Sequence, residues 1–385
     1  MTLRRVPLSQ IATIVQGGRH GFSGNHFVDP SDGFPAYGAG GLNGYLASHE
    51  FDGQTAVVLS SIGARCGKCF LTSGKWSSLA NTQVILPDPA KADARYLWYQ
   101  LNDEASWLRS GTAQPFIKPS TVKTREVALP QLAEQRRIAD ILDKADSIRR
   151  KRKEAIALTE ELLRSAFLDM FGDPVTNPKG WPTETIDDLC SRGAGLVDGP
   201  FGSSLKPEHY VASGVKVVRN WNIYDDRFDS GEFKYVTPAK FEEIRRSEVL
   251  PGDVLITTKG TVGDVCVAPD LGGPAVLSAS GTVRLRVPPD QSYLPEFVVG
   301  QMITQRYKRY LHTFEAGSAQ QYLNLSAIRK MRLIRPPKKE QVVFRAFRAR
   351  VRESQRNVID AHNQTEGLFQ SLVARAFSGA LESSR

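Results

Sequence analysis

Hydrophobic and polar positions along the chain form two long helical stretches and two regions of short, alternating segments. From Pro130 to Phe171, the positions Ile138, Ile141, Ala145, Ile148, Arg152, Ala155, Thr159, Leu162 and Ala166 follow steps of three and four. From Pro336 to Phe377, Phe344, Phe347, Val351, Ser354, Val358, Ala361, Thr365, Leu368 and Leu372 do the same. Such steps place residues on one helical stripe, and a sustained repeat predicts a coiled-coil seam. About 38 helical residues at roughly 1.5 Å rise would span about 57 Å, too long for the interior of one compact domain. Neither stripe is apolar throughout, so each helix is expected to need the other, packed against it.

The flanking regions carry shorter signals. Val6–Ile11 predicts a strand or short helix, and Phe34–Tyr45, dense in glycine, predicts a tight turn between short strands. Thr55–Ile62 and Val84–Leu86 predict strands, and Arg95–Leu108 a helix. In the second region Val215–Asn220 alternates like a strand, with Lys216 and Arg219 on opposite faces. Gly252–Gly260 reads as turn, strand and turn, a further strand runs through Arg284 and Arg286, and Phe297–Leu311 predicts a helix.

The two halves echo each other. Each stripe position of the second helix lies 206 residues after its partner in the first. Gly111-Thr112-Ala113-Gln114 aligns with Gly317-Ser318-Ala319-Gln320, Pro130 with Pro336, and Glu134-Gln135 with Glu340-Gln341. Upstream, Leu59–Gly63 resembles Ile256–Gly260 at an offset of 197. The order is therefore variable domain, long helix, variable domain, long helix, a duplication of two large units rather than a short-period solenoid.

Composition changes this picture little. A net charge of +9 permits an anionic partner such as DNA without requiring one. There is no apolar run of membrane length and no N-terminal signal with a hydrophobic centre, so the expected location is the cytoplasm. Of the four cysteines, Cys66 and Cys69 form one pair while Cys190 and Cys266 stand alone, so the second pair or two histidines that a zinc site wants at ligand spacing is missing. Cys66-Gly67-Lys68-Cys69 is a C-x-x-C pair between hydrophobic segments, which favours a strand–turn–strand over a redox helix.

Candidate contact residues follow the loops. Arg65 and Lys68 lie on the turn of the C-x-x-C pair, where they are either DNA contacts or two solvated charges. Gly63-x-x-x-Gly67-Lys68 is one residue short of a phosphate loop and has Cys69 where magnesium needs a hydroxyl. Gln114 offers amide donor and acceptor atoms to a base edge and Lys118 can reach a phosphate, or their loop simply caps the domain. In the second half the corresponding candidates are Lys206, Lys216, Arg219, Lys259, Gln320 and Gln321. Arg306, Lys308 and Arg309 interleave with Tyr307 and Tyr310, as phosphate-and-stacking surfaces do, but also as core aromatics flanked by solvated charges do. The run Arg149–Lys153 must point around its helix, with Arg152 on the seam. No methyltransferase Asn-Pro-Pro-aromatic motif, Walker motif, cofactor glycine loop or paired-histidine helix is present. The chain is accordingly expected to be a binding scaffold and not an enzyme.

The two Pro-x-x-x-Glu-Gln segments, the Met170–Trp181 junction and the Gly-x-Ala-Gln segments together resemble the DNA-specificity subunit of type I restriction–modification systems. The resemblance covers essentially the whole chain, in layout more than in residues. It implies an α+β fold of two mixed α/β target-recognition domains in tandem, separated and joined by two long antiparallel coiled-coil helices. The expected divisions are 1–130, 131–172, 173–335 and 336–385. It further implies recognition of double-stranded DNA at a bipartite, gapped, asymmetric target, with helix length setting the unread spacer. The implied partners are two methyltransferase (modification) subunits and restriction/translocase subunits. S-adenosylmethionine, ATP and Mg are expected on those partners and no cofactor on this chain. The competing expectation is a coiled-coil scaffold for proteins, without DNA specificity.

Overall fold

The computed structural model describes residues 4–19, 21, 26–193, 195–200, 202–279, 281–288, 290, 292–317 and 321–378. The chain divides into two units, Met1–Lys153 with Asp360–Arg385, and Glu154–Ile359. Both long helices are present, Leu132–Phe171 and Lys338–Ser378, and each contributes one part to each unit. The first ends at Gly172, whose φ of +78° and amide bond to the Leu168 carbonyl (2.8 Å) form a left-handed cap. A Cβ there would lie 2.9 Å from Pro178, so glycine is required for the chain to turn out of the helix into the segment that follows.

In the first unit a four-stranded antiparallel sheet runs in the order Ala12–Gln16, Thr82–Pro87, Ala56–Ser60, Cys69–Thr72. Ala56–Ser60 is buried on both faces, as its continuous apolar run requires. A smaller sheet holds Phe34–Gly38 between Gly41–Leu46 and Ser77–Ser78. Arg5–Pro7 pairs with Glu126–Ala128 beside the first long helix, and Leu8–Gln10 forms a 3-10 turn, so both alternatives predicted for Val6–Ile11 are realised in part.

The second unit repeats this plan. Its antiparallel sheet runs Gly195–Asp198, Thr282–Arg286, Val254–Thr257, Val265–Val267. Its companion sheet contains Val215–Val218 parallel to Ala275–Leu277, as Phe34–Gly38 runs parallel to Ser77–Ser78 in the first unit. Thr183–Thr185 pairs with Arg332–Ile334.

The repeated Glu-Gln pairs have a structural cause. Gln135 is fully buried; its Oε1 accepts from the Asp93 amide (2.9 Å) and its Nε2 donates to the Lys91 and Pro130 carbonyls (3.0 and 2.9 Å). Gln341, also fully buried, does the same with the Leu294 amide and the Ser292 and Pro336 carbonyls (2.9, 3.0 and 2.9 Å). Each glutamine thus fastens the start of a long helix to its own recognition domain and satisfies three backbone groups that would otherwise be buried unpaired.

The seam departs from the predicted register. In the first unit Ile138, Ala139, Leu142, Phe369 and Ala376 share one core, whereas Ile148 and Leu368 are exposed. In the second unit Leu163, Phe167, Val351 and Gln355 are buried, while Leu162 and Ser354 face solvent. A repeat averaging 3.5 residues drifts about 20° per heptad on a straight helix, or about 70° between Ile138 and Leu162. That approaches one residue's step of about 100°, so the buried stripe moves to the next position.

The seam is polar near the unit boundary. Arg152 donates to the Ala361 carbonyl and the Thr365 hydroxyl within the first unit. Arg149 bonds Asp146 (2.7 Å), approaches Glu366 (3.4 Å) and lies over the Phe369 ring, while Lys151 and Lys153 are exposed. The contacts of Arg152 with residue 361 and of Arg149 with residue 366 establish an antiparallel pair in this unit.

Two predicted helices are shorter than the pattern suggested. Ala94–Leu101 stops at Asn102 and is followed by a 3-10 turn, Glu104–Ser106. Phe297–Leu311 is two helices, Pro295–Met302 and Gln305–His312, broken where Thr304 turns its hydroxyl to cap the second at the Tyr307 amide.

Candidate nucleic-acid interface

In each unit the end of the central buried strand enters a turn, and a later loop hydrogen-bonds onto that turn. In the first unit Ser61 donates its amide to the Asn81 carbonyl (2.9 Å) and accepts from the Ile117 amide (2.9 Å), while Ser110 and Phe116 exchange two bonds of 2.8 Å. In the second unit Thr258 donates to the Gly281 carbonyl (2.8 Å) and accepts from the Leu323 amide (3.0 Å), while Ala316 and Tyr322 exchange two bonds of 3.0 Å. Residues 61 and 258 differ by 197; the loop pairs 110 and 316, 116 and 322, and 117 and 323 each differ by 206. Both sequence offsets therefore correspond to one repeated backbone frame.

In the first unit the frame carries Arg65 and Lys68 on the turn and Gln114 on the loop. Arg65 and Gln114 are exposed and Lys68 is half-buried. The Gly63 amide bonds the Pro115 carbonyl (3.0 Å), which brings the two segments side by side. Gly111 adopts φ +85°, and a Cβ there would lie 2.5 Å from the Gln114 carbonyl, so this loop shape needs glycine. Lys118 is exposed at the start of the short helix Pro119–Thr124.

Cys66 and Cys69 sit on the strand–turn–strand that the sequence predicts. Both are buried, and burial raises both thiols above their ordinary pKa, so they remain protonated. Cys69 donates to the Leu101 carbonyl (3.4 Å) and packs the turn against the helix behind it. Among the described residues no group of three or more His, Cys, Asp or Glu is placed to hold a metal.

In the second unit Lys259 and Gln321 are exposed on the frame, and Gln320 lies outside the described residues. Arg219 follows directly after the strand Val215–Val218, with its guanidinium over the Trp221 ring at 5.1 Å. A Cβ on Gly260 would lie 3.3 Å from the Asn220 amide nitrogen, so the Lys259 turn and the Arg219–Trp221 segment are adjacent. Lys206 is exposed on a separate turn, with Nζ 3.6 Å from Glu208. Lys216 is half-buried; its ammonium donates to the Leu271 carbonyl and lies 5.4 Å from the Phe233 ring. The frame thus gathers Arg65, Lys68 and Gln114 in one unit, and Arg219, Lys259 and Gln321 in the other.

The basic and aromatic run after residue 305 follows the fold-supporting alternative. Tyr307 is buried and bonds the Arg332 carbonyl (3.0 Å), Lys308 pairs with Asp225 (2.5 Å) and Asp264 (3.4 Å), and Arg306 pairs with Asp173 (3.1 Å). Sequence reasoning missed Trp221, Tyr224 and Arg227. Their spacing after Arg219 was itself a basic and aromatic interleaving, and Trp221 is 64% exposed.

Residues 6–158 match the family model of the type I restriction modification DNA specificity domain. The chain is 23% identical to the type I restriction enzyme EcoBI specificity subunit of Escherichia coli, over 98% of this chain and 86% of that protein. It is 21% identical to the type I restriction enzyme MjaVIII specificity subunit of Methanocaldococcus jannaschii, over 75% of this chain and 70% of that one. The crystal structure of the type I restriction–modification S subunit from M. genitalium superposes with a TM-score of 0.61 at 15% identity, covering 98% of this chain and 96% of that one. A chain from a study of complex assembly and conformational transition in a type I system superposes at 0.54 and 16% identity, covering 99% and 98%. These superpositions establish the shared fold.

Proposed function

We propose, from the premise that the chain belongs to the type I restriction–modification DNA specificity subunits, that it reads a bipartite, gapped, asymmetric DNA target for a methyltransferase and restriction complex. Each unit reads one half-site from the major groove, where base edges are distinguishable. The two long helices connect the readers, and their length fixes the unread spacer. Two modification subunits assemble on the chain and methylate adenine with S-adenosylmethionine, and restriction subunits join them to cleave with ATP and Mg. The chain contributes recognition, not catalysis, and the complex works in the cytoplasm. No helix among the described residues is long and apolar enough to cross a membrane.

One observation carries this reading: a single hydrogen-bonded frame occurs twice, with unlike side chains at its tips. On its turn, Arg65 stands where the second unit has Val262, and Lys259 where the first unit has Ile62. One backbone with two side-chain sets is what two unlike half-sites need. Phosphate contacts would position each unit and amide or guanidinium contacts would select bases.

Phosphate contacts also make affinity depend on salt. The assembly of this chain with its modification subunit is expected to bind duplex DNA with a log–log salt slope of about −0.9 per phosphate neutralised. Arg65→Ala with Lys68→Ala is expected to flatten that slope by about two if both meet phosphates. A slope unchanged by the pair would remove them from the interface. Absence of salt-dependent duplex binding by the unmodified assembly would favour the protein scaffold instead.

A further inference from the structure

Trp221 stands apart from the other four tryptophans, which are buried or half-buried, in keeping 64% of its surface exposed. It is also the most exposed large apolar side chain among the described residues of its unit. The turn that carries it is nonetheless anchored. The buried side chain of Asn222 accepts from the Arg219 amide (2.9 Å) and donates to the Asp229 and Glu232 carbonyls (2.9 and 3.0 Å). Its backbone closes the turn by an amide bond to the Arg219 carbonyl (2.9 Å) and by accepting from the Asp229 amide (2.8 Å). The following hairpin, Ile223–Tyr224 with Arg227–Phe228, turns at Asp226, which Arg348 and Arg352 of the second long helix grip.

Arg219 lies over the Trp221 ring and Arg227 over the Tyr224 ring at 5.0 Å. Beside them is an open cleft of about 410 Å³ bordered by Asp229, Glu232 and Lys234. Two carboxylates at its edge oppose a phosphate, whereas a carboxylate accepts readily from the amino group of a base. An exposed ring backed by a guanidinium is a surface on which a nucleobase stacks. The turn that carries the ring is adjacent to the Lys259 turn of the frame described above.

We infer that Trp221, backed by Arg219, is a stacking platform for an unstacked nucleobase of the target duplex. The inference rests on the proposed function, because methylating a base amine inside a duplex requires taking that base out of the stack and leaves its neighbours exposed. Trp221 then steadies the opened site, and the second unit contributes to target distortion as well as to base reading.

The test is affinity of the assembly with its modification subunit for a fluorescent duplex carrying the target motif, against a scrambled duplex. Trp221→Ala is expected to weaken motif binding about 5- to 100-fold with an unchanged salt slope, because no phosphate contact is lost. Trp221→Phe is expected to stay within about threefold of wild type, and Trp221→Leu to resemble alanine, which separates stacking from simple apolar contact. Equal affinity of the alanine and wild-type assemblies would overturn the inference, as would rescue by leucine. A wild-type assembly that does not distinguish the motif from the scrambled duplex would overturn the underlying reading, and this inference with it.

Discussion

Asp226→Ala is expected to destabilise the second unit by about 3–5 kcal/mol, because it leaves two buried cations without their counter-ion. Asp226 is 1% exposed in its side chain, and the Arg348 and Arg352 guanidiniums against it are each 15% exposed. Each arginine makes a forked contact, with Nε at 2.8 and 2.9 Å and the second nitrogen of each closing on the same carboxylate oxygen. Removing the carboxylate loses its attraction but keeps both arginine desolvation costs. The position is strained as well: Asp226 has φ +55°, which Asp tolerates better than Ala. Calorimetry should show the transition of the second unit lowered by about 6–20 °C. Asp226→Asn keeps the shape and loses the charge, so it should fall between alanine and wild type. If Asp226→Ala melts like wild type, the arginines find water or another partner and the pairing contributes little.

Phe167→Ala is expected to cost a similar amount, about 3–5 kcal/mol, by a different mechanism. Phe167 is fully buried, with ring centroids 4.9 Å from Phe171, 5.5 Å from Phe297 and 5.4 Å from Phe344. The cluster joins the last turns of the first long helix, the start of the second and the helix Pro295–Met302. Gly300 admits it: a Cβ there would lie 2.5 Å from the Phe344 ring and 3.0 Å from Phe167. An alanine at 167 leaves a cavity that three helices cannot easily close. The neighbouring Leu168 is 41% exposed, and Leu168→Ala should change stability by no more than about 0.5 kcal/mol. Comparable losses at 167 and 168 in thermal melts would contradict the seam described here.

The duplication and both long helices were legible in the sequence because a repeat of 206 residues and a period near 3.5 are properties of order alone. The register of the seam was less so. Ile148, Leu162 and Leu368 fit the repeat, but a straight helix rotates them out of the contact and brings Arg149, Leu163 and Phe369 toward it. Gln135 and Gln341 stood out as a signature, while their role did not, since two of the three partners of each come from distant residues, 91 and 93 or 292 and 294. The helix break at Thr304 was hidden because a threonine inside an apolar run reads as helix until its hydroxyl is seen capping the next turn. At the candidate interface, charge and loop position pointed to Arg65, Lys68, Gln114 and Lys259. They could not show that the Lys216 ammonium turns back to Leu271, or that Trp221 remains outside. Exposure of a tryptophan is decided by what packs around it, and in this chain by Asn222 holding the turn outward.

The central claim is that this chain selects which DNA sequence its complex modifies. The most direct measurement is the methylome by long-read sequencing, from cells expressing the chain with its modification subunit and from cells lacking only the chain. The account predicts an asymmetric, gapped adenine motif present in the first and absent from the second. An identical methylome in both, with the modification subunit intact and expressed, would contradict it.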